Sequence, residues 1–435
     1  MKPLEISART GAFDRPTPPR RAVISWALYD LANTIFSMNV VSLYFALWIT
    51  LDLGGTDSHY GLANSASMAV VLVLAPLIGA ISDQAGRRMP FLAASTLACV
   101  GLTFFLGTRS LLLALFLFAA ANVFFQAGSV FYDALLADVS TEANRGRVGG
   151  LGVGLGYLGS FLGVGTGILL TARLGESAAK PAIFQATAVG FLLFSIPCFL
   201  FVRERRARRM SGAGMLVSRA IGQVRETLHL ARRYPGLGRF LIGRVFYSDA
   251  VTTLIAFMGI YLTKEAGFSQ SLVQIVLLVG IVGAAIGALL VGALVDRIGP
   301  RRSLNLVLAV WAATMVLVVA IPLAGLPTGL FWLVAPLSGI ALGGTWSADR
   351  PYMLLLSPPR YLGQFFGLYS MSGRFASIIG PVIWAGVVDW LGWGRPAAVA
   401  TLVAMIGLSY LILRPVTDTP RVWQPEDLAP DPVAT

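Results

Sequence analysis

Long apolar blocks separated by short polar stretches run along the whole chain of 435 residues. A helix needs about 20 mostly apolar residues to cross the hydrocarbon core of a bilayer, and twelve blocks reach or approach that length. The pattern therefore predicts an all-α polytopic membrane protein with twelve transmembrane helices. The predicted spans are residues 22–49, 61–82, 89–107, 111–138, 149–172, 181–202, 240–263, 271–295, 303–324, 330–356, 363–389 and 396–413.

One polar stretch is much longer than the others and lies in the middle of the chain. It follows six predicted spans and precedes six more, so we expect two six-helix bundles joined by a linker. The predicted parts are an N-terminal tail (1–21), an N-terminal bundle (22–202), a basic linker (203–239), a C-terminal bundle (240–413) and a C-terminal tail (414–435).

The linker contains apolar residues at helical spacing among its arginines. This pattern is typical of a helix that lies on anionic lipid headgroups, and equally of a solvated basic linker. The apolar residues are Val217, Ile221, Val224 and Leu228.

Composition agrees with a membrane protein, and the charges orient it. Hydrophobic residues make up 56% of the chain and charged residues only 12%, against about 25% charged residues in a soluble domain. The net charge is +12, and twenty-five of the 33 Lys and Arg residues fall in the tails, the linker and the loops on one side of the bundle. Because cytoplasmic segments carry such an excess, we expect a multi-pass protein of the cell membrane with both termini in the cytoplasm. The same distribution argues against nucleic acid as a partner.

No residue pattern in the sequence is typical of an enzyme or of a cofactor site. Cys99 and Cys198 lie in apolar spans, and His59 and His229 are far apart, so no metal-ligand spacing exists. Residues 154–159 fit the dinucleotide pattern G-x-G-x-x-G, but they lie inside an apolar span and no strand precedes them. We expect the glycines of this span to let two helices approach closely instead. They are Gly152, Gly156, Gly159, Gly163 and Gly167.

A short loop occurs twice, after the second and after the eighth predicted span. In each copy an acid precedes a glycine and two arginines follow. Glycine permits a tight turn, and each acid can bind near a helix N-terminus of the opposite half. The alternative is that these charged loops only fix the topology. The two copies contain Asp83, Gly86, Arg87 and Arg88, and Asp296, Gly299, Arg301 and Arg302.

Seven charged residues lie in the interior of the predicted spans, away from the last residue of each, where charges are costly and indicate functional sites. Arginine keeps its proton in proteins, so pairing each base with one acid leaves one carboxylate unpaired and able to carry a proton. We expect Asp30 to be this carboxylate, because its own span contains no base. The alternative is a set of structural ion pairs that brace the helix ends. The seven residues are Asp30, Asp133, Arg244, Asp249, Asp349, Arg350 and Arg374.

Several motifs resemble a known transporter superfamily. The doubled loop resembles the signature loop of the major facilitator superfamily, which implies a cytoplasmic latch that forms in the outward-open state. Residues 26–33, 131–136, 146–159 and 365–374 together resemble the "unknown major facilitator" family, which is related to fungal vacuolar amino-acid effluxers. The resemblance implies the major facilitator fold of two six-helix halves, with spans one, four, seven and ten around a central cavity.

The resemblance also implies where the substrate or the coupling proton binds. Six of the seven ionisable residues fall on the four cavity spans, and Arg374 falls on the eleventh. Tyr29 and Asn33 join the acid of the first span, and Trp346 precedes the charged pair of the tenth, at a position where the family usually has Gln. We predict that these residues line the site.

The predicted function is secondary active transport of a small polar solute by alternating access. An amino acid moved by export is one candidate, with protons as a candidate coupling ion. A sugar–cation symporter is an alternative with the same fold, and a membrane sensor that has lost transport is an alternative of another class. The expected partners are a small-molecule substrate, protons and the lipid bilayer, and the chain is expected to act as a monomer without a cofactor.

Overall fold

A computed structural model describes residues 18–55, 57–204, 234–268, 270–419 and residue 423. In these residues the chain forms twelve long helices, and each predicted span overlaps one of them. The surface helix considered for residues 217–228 lies outside the described residues. The helices are α1 (Arg20–Asp52), α2 (Asp57–Ala85), α3 (Met89–Phe104), α4 (Leu111–Val139), α5 (Arg145–Leu174), α6 (Glu176–Phe201), α7 (Leu237–Lys264), α8 (Gln270–Ile298), α9 (Pro300–Leu323), α10 (Phe331–Leu356), α11 (Leu362–Ala385) and α12 (Gly394–Leu413).

Ten of the helices in the described residues are individually long and apolar enough to cross a membrane. Helix α2 makes an eleventh span when its parts His59–Ala75 and Leu77–Asp83, which meet at an angle of 45°, are counted together. The break falls at Pro76, which has no N–H to donate to the helix. Helix α3 is apolar but has only 16 residues, so it is shorter than the about 20 residues of a usual span.

The two halves of the molecule have the same helix packing. In the N-terminal half, α1 packs against α5 and α6, and α4 packs against α2 and α3. In the C-terminal half, α7 packs against α11 and α12, and α10 packs against α8 and α9. The halves meet along two equivalent helix pairs, α2 with α11 and α5 with α8.

Glycines bring the halves into backbone contact at these two pairs. A Cβ atom added to Gly79 on α2 would lie 2.1 Å from the carbonyl oxygen of Gly363 on α11. One added to Gly146 on α5 would lie 2.4 Å from the carbonyl oxygen of Gly292 on α8. Small residues at helix interfaces allow close approach where lipid provides no hydrophobic driving force.

The glycine stripe of α5 faces α1 inside the N-terminal half. A Cβ atom added to Gly159 would lie 2.4 Å from the carbonyl oxygen of Leu31, and one added to Gly163 would lie 3.1 Å from Oδ1 of Asn39. The prediction that this stripe serves helix packing is confirmed.

One end of the molecule carries the loops rich in arginine, and we call it the basic end. Contacts join these loops to one another: Asp83 binds the start of α11, and the N–H of Arg88 donates to Glu204 at the end of α6. At the opposite end, Asp52 of α1 pairs with Lys180 of α6 at 2.5 Å. The arginine-rich loops share one end because the twelve helices alternate in direction, so every second loop lies on the same side.

Candidate functional site

One arginine joins the two halves inside the helical bundle. Nη1 of Arg350 on α10 lies 3.1 Å from Oδ2 of Asp30 on α1, and its Nε lies 3.1 Å from Oδ1 of Asp133 on α4. The three side chains are 17%, 10% and 12% exposed, respectively. One guanidinium therefore serves two carboxylates, and the trio has a net negative charge when both acids are ionised.

This contact overturns the expectation that Asp30 lacks a basic partner. The expectation assumed that each base takes one acid and that the base would come from a nearby part of the sequence. Arg350 instead binds two acids of the other half, 320 residues from Asp30 in the sequence. The choice of Asp30 as the unpaired proton carrier was therefore wrong in its premise.

A second cluster is confined to the C-terminal half. Nε of Arg244 on α7 donates to Asp349 Oδ2 at 2.9 Å, and Asp349 also accepts from the hydroxyls of Tyr247 and Tyr369. Nη1 of Arg244 donates to the carbonyl of Tyr369 and to Ser372 Oγ, each at 2.9 Å. Asp349 is 0% exposed, so this charge pair is compensated internally. The cluster fastens α7, α10 and α11 together.

Arg374 on α11 has no carboxylate partner among the described residues. It is 8% exposed, and its Nη2 donates to Oε1 of Gln126 on α4 of the other half at 2.6 Å. Its Nη1 donates to the carbonyl oxygen of Ser370 at 2.9 Å, and its Nε is buried without a partner in the described part of the chain. Because a guanidinium keeps its charge, this is a buried cation that touches only neutral acceptors.

Asp249 on α7 has no basic partner among the described residues. Its Oδ1 accepts the backbone N–H of Gly380 on α11 at 2.7 Å, and its Oδ2 is buried with no hydrogen-bond partner among the described residues. The structure thus leaves one acid and one base of the seven ionisable residues unpaired, on neighbouring helices.

The three uncharged candidates have different surroundings. Tyr29 is buried inside the N-terminal half, where its hydroxyl bonds to Thr96 Oγ1 at 2.6 Å and its ring stacks on Tyr132 at 5.0 Å between centroids. Asn33 is 8% exposed, and its Oδ1 has no partner among the described residues. Trp346 is half-buried on α10. Tyr29 therefore packs the N-terminal half, whereas Asn33 keeps an acceptor available.

The first copy of the repeated loop binds the start of α11 in the opposite half. Asp83 Oδ1 accepts the N–H of Gly363, and its Oδ2 accepts the N–H of Gln364, both at 2.9 Å. The first N–H groups of a helix lack partners within it and carry a partial positive charge, which suits a carboxylate. Arg88 of the same loop lies 2.8 Å from Asp83. We call this contact the first latch.

The second copy makes the equivalent contact with the start of α5. Asp296 Oδ1 accepts the N–H of Gly146 at 2.7 Å, and its Oδ2 accepts the N–H of Arg147 at 3.0 Å. Nε of Arg147 lies 3.5 Å from the same carboxylate. The two latches therefore differ: the arginine beside Asp83 belongs to its own loop, whereas the arginine beside Asp296 comes from the opposite half.

The remaining residues of the two loops shape the turns or face outward. Gly86 and Gly299 have φ angles of 65° and 88°, in the left-handed region that favours glycine. Arg87 and Arg302 are exposed, and Arg301 donates to a backbone carbonyl at the end of α12 at 2.6 Å. These arginines do not bind the latch acids.

Two residues of the site were missed in the sequence. Gln126 is a polar residue in an apolar stretch of α4, two turns before Asp133, and that isolated polarity was the available signal. Tyr369 lies in the 365–374 motif but carries no charge, and only the fold brings it to Arg244, whose Cζ lies 3.6 Å from its ring centroid.

Comparison with known proteins identifies the family. A family model described as vacuole effluxer Atg22-like matches residues 137–421, more than half of the chain. The chain belongs to the Atg22-like family. This Atg22-like chain is 28% identical over 425 residues to the MFS-type transporter YxiO of Bacillus subtilis, covering 93% of this chain and 97% of that one. It is also 24% identical over 326 residues to autophagy-related protein 22 of Yarrowia lipolytica, covering 67% of this chain and 54% of that protein.

Solved structures establish the fold of the Atg22-like chain. It superposes with a TM-score of 0.70 on the human organic anion transporter MFSD10, at 21% identity, over 91% of this chain and all of that one. With the Escherichia coli fucose:proton symporter FucP the TM-score is 0.72 at 13% identity, over 91% and 97% of the two chains. The predicted major facilitator fold and the resemblance to vacuolar effluxers are confirmed. The protein is a multi-pass membrane transporter and not an enzyme.

Proposed function

We propose that this Atg22-like transporter exports a small polar solute, with an amino acid as the leading candidate, driven by a proton gradient. We place the protein in a bacterial-type cell membrane with both termini in the cytoplasm, because the arginine-rich loops favour that orientation. The Atg22-like effluxer family supports the export direction, and the similarity to the E. coli fucose:proton symporter is consistent with proton coupling.

The observation that carries the proposal is the uneven pairing of charges where the halves meet. The trio of Arg350, Asp30 and Asp133 has a surplus acid, whereas Arg374 is a buried cation without one. A zwitterion compensates both, with its ammonium group on the acids and its carboxylate on Arg374 and Gln126. Gln126 and Asp133 are two turns apart on α4, about 10 Å along its axis, a separation that an amino acid and its two ion pairs can bridge.

Alternating access follows from the contacts that join the halves. Both latches at the basic end are formed, and Arg350 holds α1 and α4 from the opposite half. We infer that solute enters from the basic end after these contacts break and leaves at the opposite end while they are closed. An ammonium group on the two acids would replace Arg350 and so favour the exchange between states.

Export is tested in proteoliposomes loaded with a radiolabelled mixture of the protein amino acids. We expect efflux of a subset of the label when a pH gradient is imposed, and much less without it. Thermal stabilisation by an amino acid together with no efflux under either condition would instead identify a sensor. Efflux that ignores the gradient would remove proton coupling and keep facilitated export.

Arg374 tests the carboxylate part of the proposal. Arg374→Gln removes a charge-assisted hydrogen bond to the substrate carboxylate, and such bonds contribute about 1.5–3 kcal/mol. We therefore expect the affinity for the exported amino acid to fall roughly 10- to 100-fold, with a smaller loss in Arg374→Lys, which keeps the charge. The Arg374→Gln variant should bind an amino acid and its carboxamide with equal affinity. If the variant preferred the amino acid over its carboxamide as strongly as the parent protein does, Arg374 would be excluded from the substrate site.

A further inference from the structure

A carboxylate and a hydroxyl that belong to none of the clusters above lie together between α7 and α11. Asp249 is 0% exposed, and Thr253, one turn later on α7, is 1% exposed. Asp249 Oδ2 is buried without a hydrogen-bond partner among the described residues, and the Thr253 hydroxyl lies beside the same carboxylate. Buried polar atoms without partners are rare and costly, so the unpartnered oxygen of a buried carboxylate calls for a ligand or a second protonation state.

Space at this point is limited to the backbone of one glycine. A Cβ atom added to Gly380 would lie 1.8 Å from Thr253 Oγ1 and 2.4 Å from Asp249 Oδ1. The two side-chain oxygens and the N–H of Gly380 therefore meet at one place, which has no room for an additional side-chain carbon. A proton is the ligand that fits without displacing any of them.

No basic group neutralises Asp249 in the part of the chain that the structure describes. Helix α7 packs against α8, α10, α11 and α12, and none of their charged groups forms an ion pair with Asp249 among the described contacts. Arg244, Tyr247, Asp349, Arg350, Tyr369 and Arg374 belong to the clusters described above, whereas Arg239, Lys264, Asp296, Arg297, Arg395 and Arg414 lie at helix ends.

We propose that Asp249 is the binding site of the coupling proton, a proposal that rests on the proton-driven export proposed above. In the ionised form, Oδ1 holds the N–H of Gly380, as observed at 2.7 Å. In the neutral form, the carboxyl group of Asp249 carries the proton and donates it in a hydrogen bond to Thr253 Oγ1, which lies beside the carboxylate. A buried acid without a countercharge favours its neutral form, while the Gly380 N–H favours the ionised form, so both states are accessible.

Helix α11 connects this site to the rest of the mechanism. The same helix carries Gly363 and Gln364 of the first latch, Arg374 of the transport site and Gly380. Pro381 follows Gly380 and has no N–H, so α11 is weakened beside the proton site. Protonation of Asp249 weakens its hydrogen bond with the N–H of Gly380. Helix α11 can then shift against α7, which moves Arg374 and the first latch together.

The first test measures proton binding directly, without any substrate. Infrared difference spectra of the purified protein in lipid, recorded between acid and neutral buffer, should show a carboxylic-acid C=O band that is lost in Asp249→Asn. Asp52→Asn is the control, because Asp52 pairs with Lys180 at the opposite end, and it should keep the band. Persistence of the band in a folded Asp249→Asn protein would overturn the proposal.

Variants of Thr253 keep the proposal testable if Asp249→Asn does not fold. Thr253→Val retains the acid and removes the acceptor of its proton, so the C=O band should shift in frequency and require a more acidic buffer to appear. Thr253→Ser restores the hydroxyl and should return both properties toward the parent values. A band that is the same in all three proteins would contradict the assignment of Thr253 and Asp249.

A transport measurement separates this proposal from the proposed function. In the proteoliposome assay with the radiolabelled amino-acid mixture, Asp249→Asn should lose the dependence of efflux on the pH gradient and retain exchange of internal for external label. Gradient-driven efflux that persists in Asp249→Asn would refute the proton site and leave the proposed function intact. If the parent protein shows no gradient dependence, the proposed coupling fails, whereas the infrared band still reports whether Asp249 binds a proton.

Discussion

At the scale of single residues, the role that we assign to each charged side chain inside the bundle depends on how many hydrogen-bond and ion-pair partners it has. Asp349 has three donors, from Arg244, Tyr247 and Tyr369, and it is fully buried, so its role is to hold the C-terminal half together. Asp249 accepts a backbone N–H, that of Gly380, has no basic partner among the described residues, and is the acid that we propose to change protonation. Two buried aspartates, Asp349 on α10 and Asp249 on α7, thus have different surroundings, and we expect them to have different roles.

The compensated pair of Arg244 and Asp349 yields a stability prediction. Asp349→Asn leaves the guanidinium of Arg244 buried without a countercharge, and breaking a buried pair in this way costs about 3–5 kcal/mol. We expect a large fall in the midpoint of thermal unfolding in detergent. Ser372→Ala is the matched control, because Arg244 keeps its bonds to Asp349 and Tyr369 and loses only one neutral acceptor, worth about 1 kcal/mol. Equal losses in the two variants would argue against a tightly coupled charge pair.

At the scale of helices, close packing depends on the positions of the glycines, which have no side chain. Helix α5 presents two glycine faces: one contacts α1 within its own half, and the other contacts α8 of the opposite half. In lipid, helices gain little from burying apolar side chains against each other, so close backbone approach and dispersion contacts hold them together. The same helix therefore fixes the N-terminal half internally and joins it to the C-terminal half.

Two glycines of α5 provide a matched test of this packing. Gly159→Ala places a methyl group about where the Leu31 carbonyl oxygen stands, 2.4 Å from the added Cβ, whereas nothing lies within 4 Å of a Cβ added to Gly165. Overpacking of this kind costs about 1–3 kcal/mol. We expect Gly159→Ala to lower the midpoint of thermal unfolding and Gly165→Ala to leave it unchanged. A similar effect at both positions would mean that helix propensity, rather than contact with α1, governs the stripe.

At the scale of the whole molecule, two latches close the basic end, and each of them joins the N-terminal half to the C-terminal half. Asp83 and Asp296 each bind N–H groups that start a helix of the other half. In the alternating-access mechanism that we propose, the halves move against each other, so we expect both contacts to break together when the basic end opens. The internal repeat thereby gives the protein two equivalent restraints on one motion.

Weakening the first latch should shift the protein toward the state that is open at the basic end. Asp83→Asn replaces two charge-assisted bonds to the start of α11 with at most one neutral bond, a loss of about 1.5–3 kcal/mol that favours opening roughly 10- to 100-fold. A cysteine introduced at Ser129, one turn before Asp133, should then react faster with a maleimide supplied at the basic end. Arg87→Gln, at an exposed position of the same loop, should not change the rate. Unchanged labelling in a normally expressed Asp83→Asn protein would argue against the latch.

The orientation of the molecule is tested with reporter fusions. We expect fusions within residues 203–239 and 357–362 to report the cytoplasm and fusions within residues 52–60 to report the outside. The first two segments lie on the side of the membrane that carries the excess of Lys and Arg, which is the cytoplasmic side. A linker found outside the cell would reverse the topology and with it the direction proposed for transport.

The sequence by itself determined the features that depend on composition and local spacing. The lengths of the apolar blocks predicted the helices, because any segment that crosses lipid has to be long, apolar and internally hydrogen-bonded. The repeated loop predicted that Asp83 and Asp296 each bind near a helix N-terminus of the opposite half, and the glycine spacing predicted a packing face on α5. These inferences needed no knowledge of which helices are neighbours.

The tertiary structure alone decided which charges meet. Arg350 reaches Asp30 across 320 residues of sequence, Arg374 finds Gln126 rather than an acid, and Asp249 is left facing Gly380. An ion pair depends on separations of a few ångströms between side chains, whereas the sequence only places each residue on a helix. The sequence predicted Asp30 as the proton carrier, whereas we propose Asp249, because helix packing, not position along the chain, sets the partners of a buried charge.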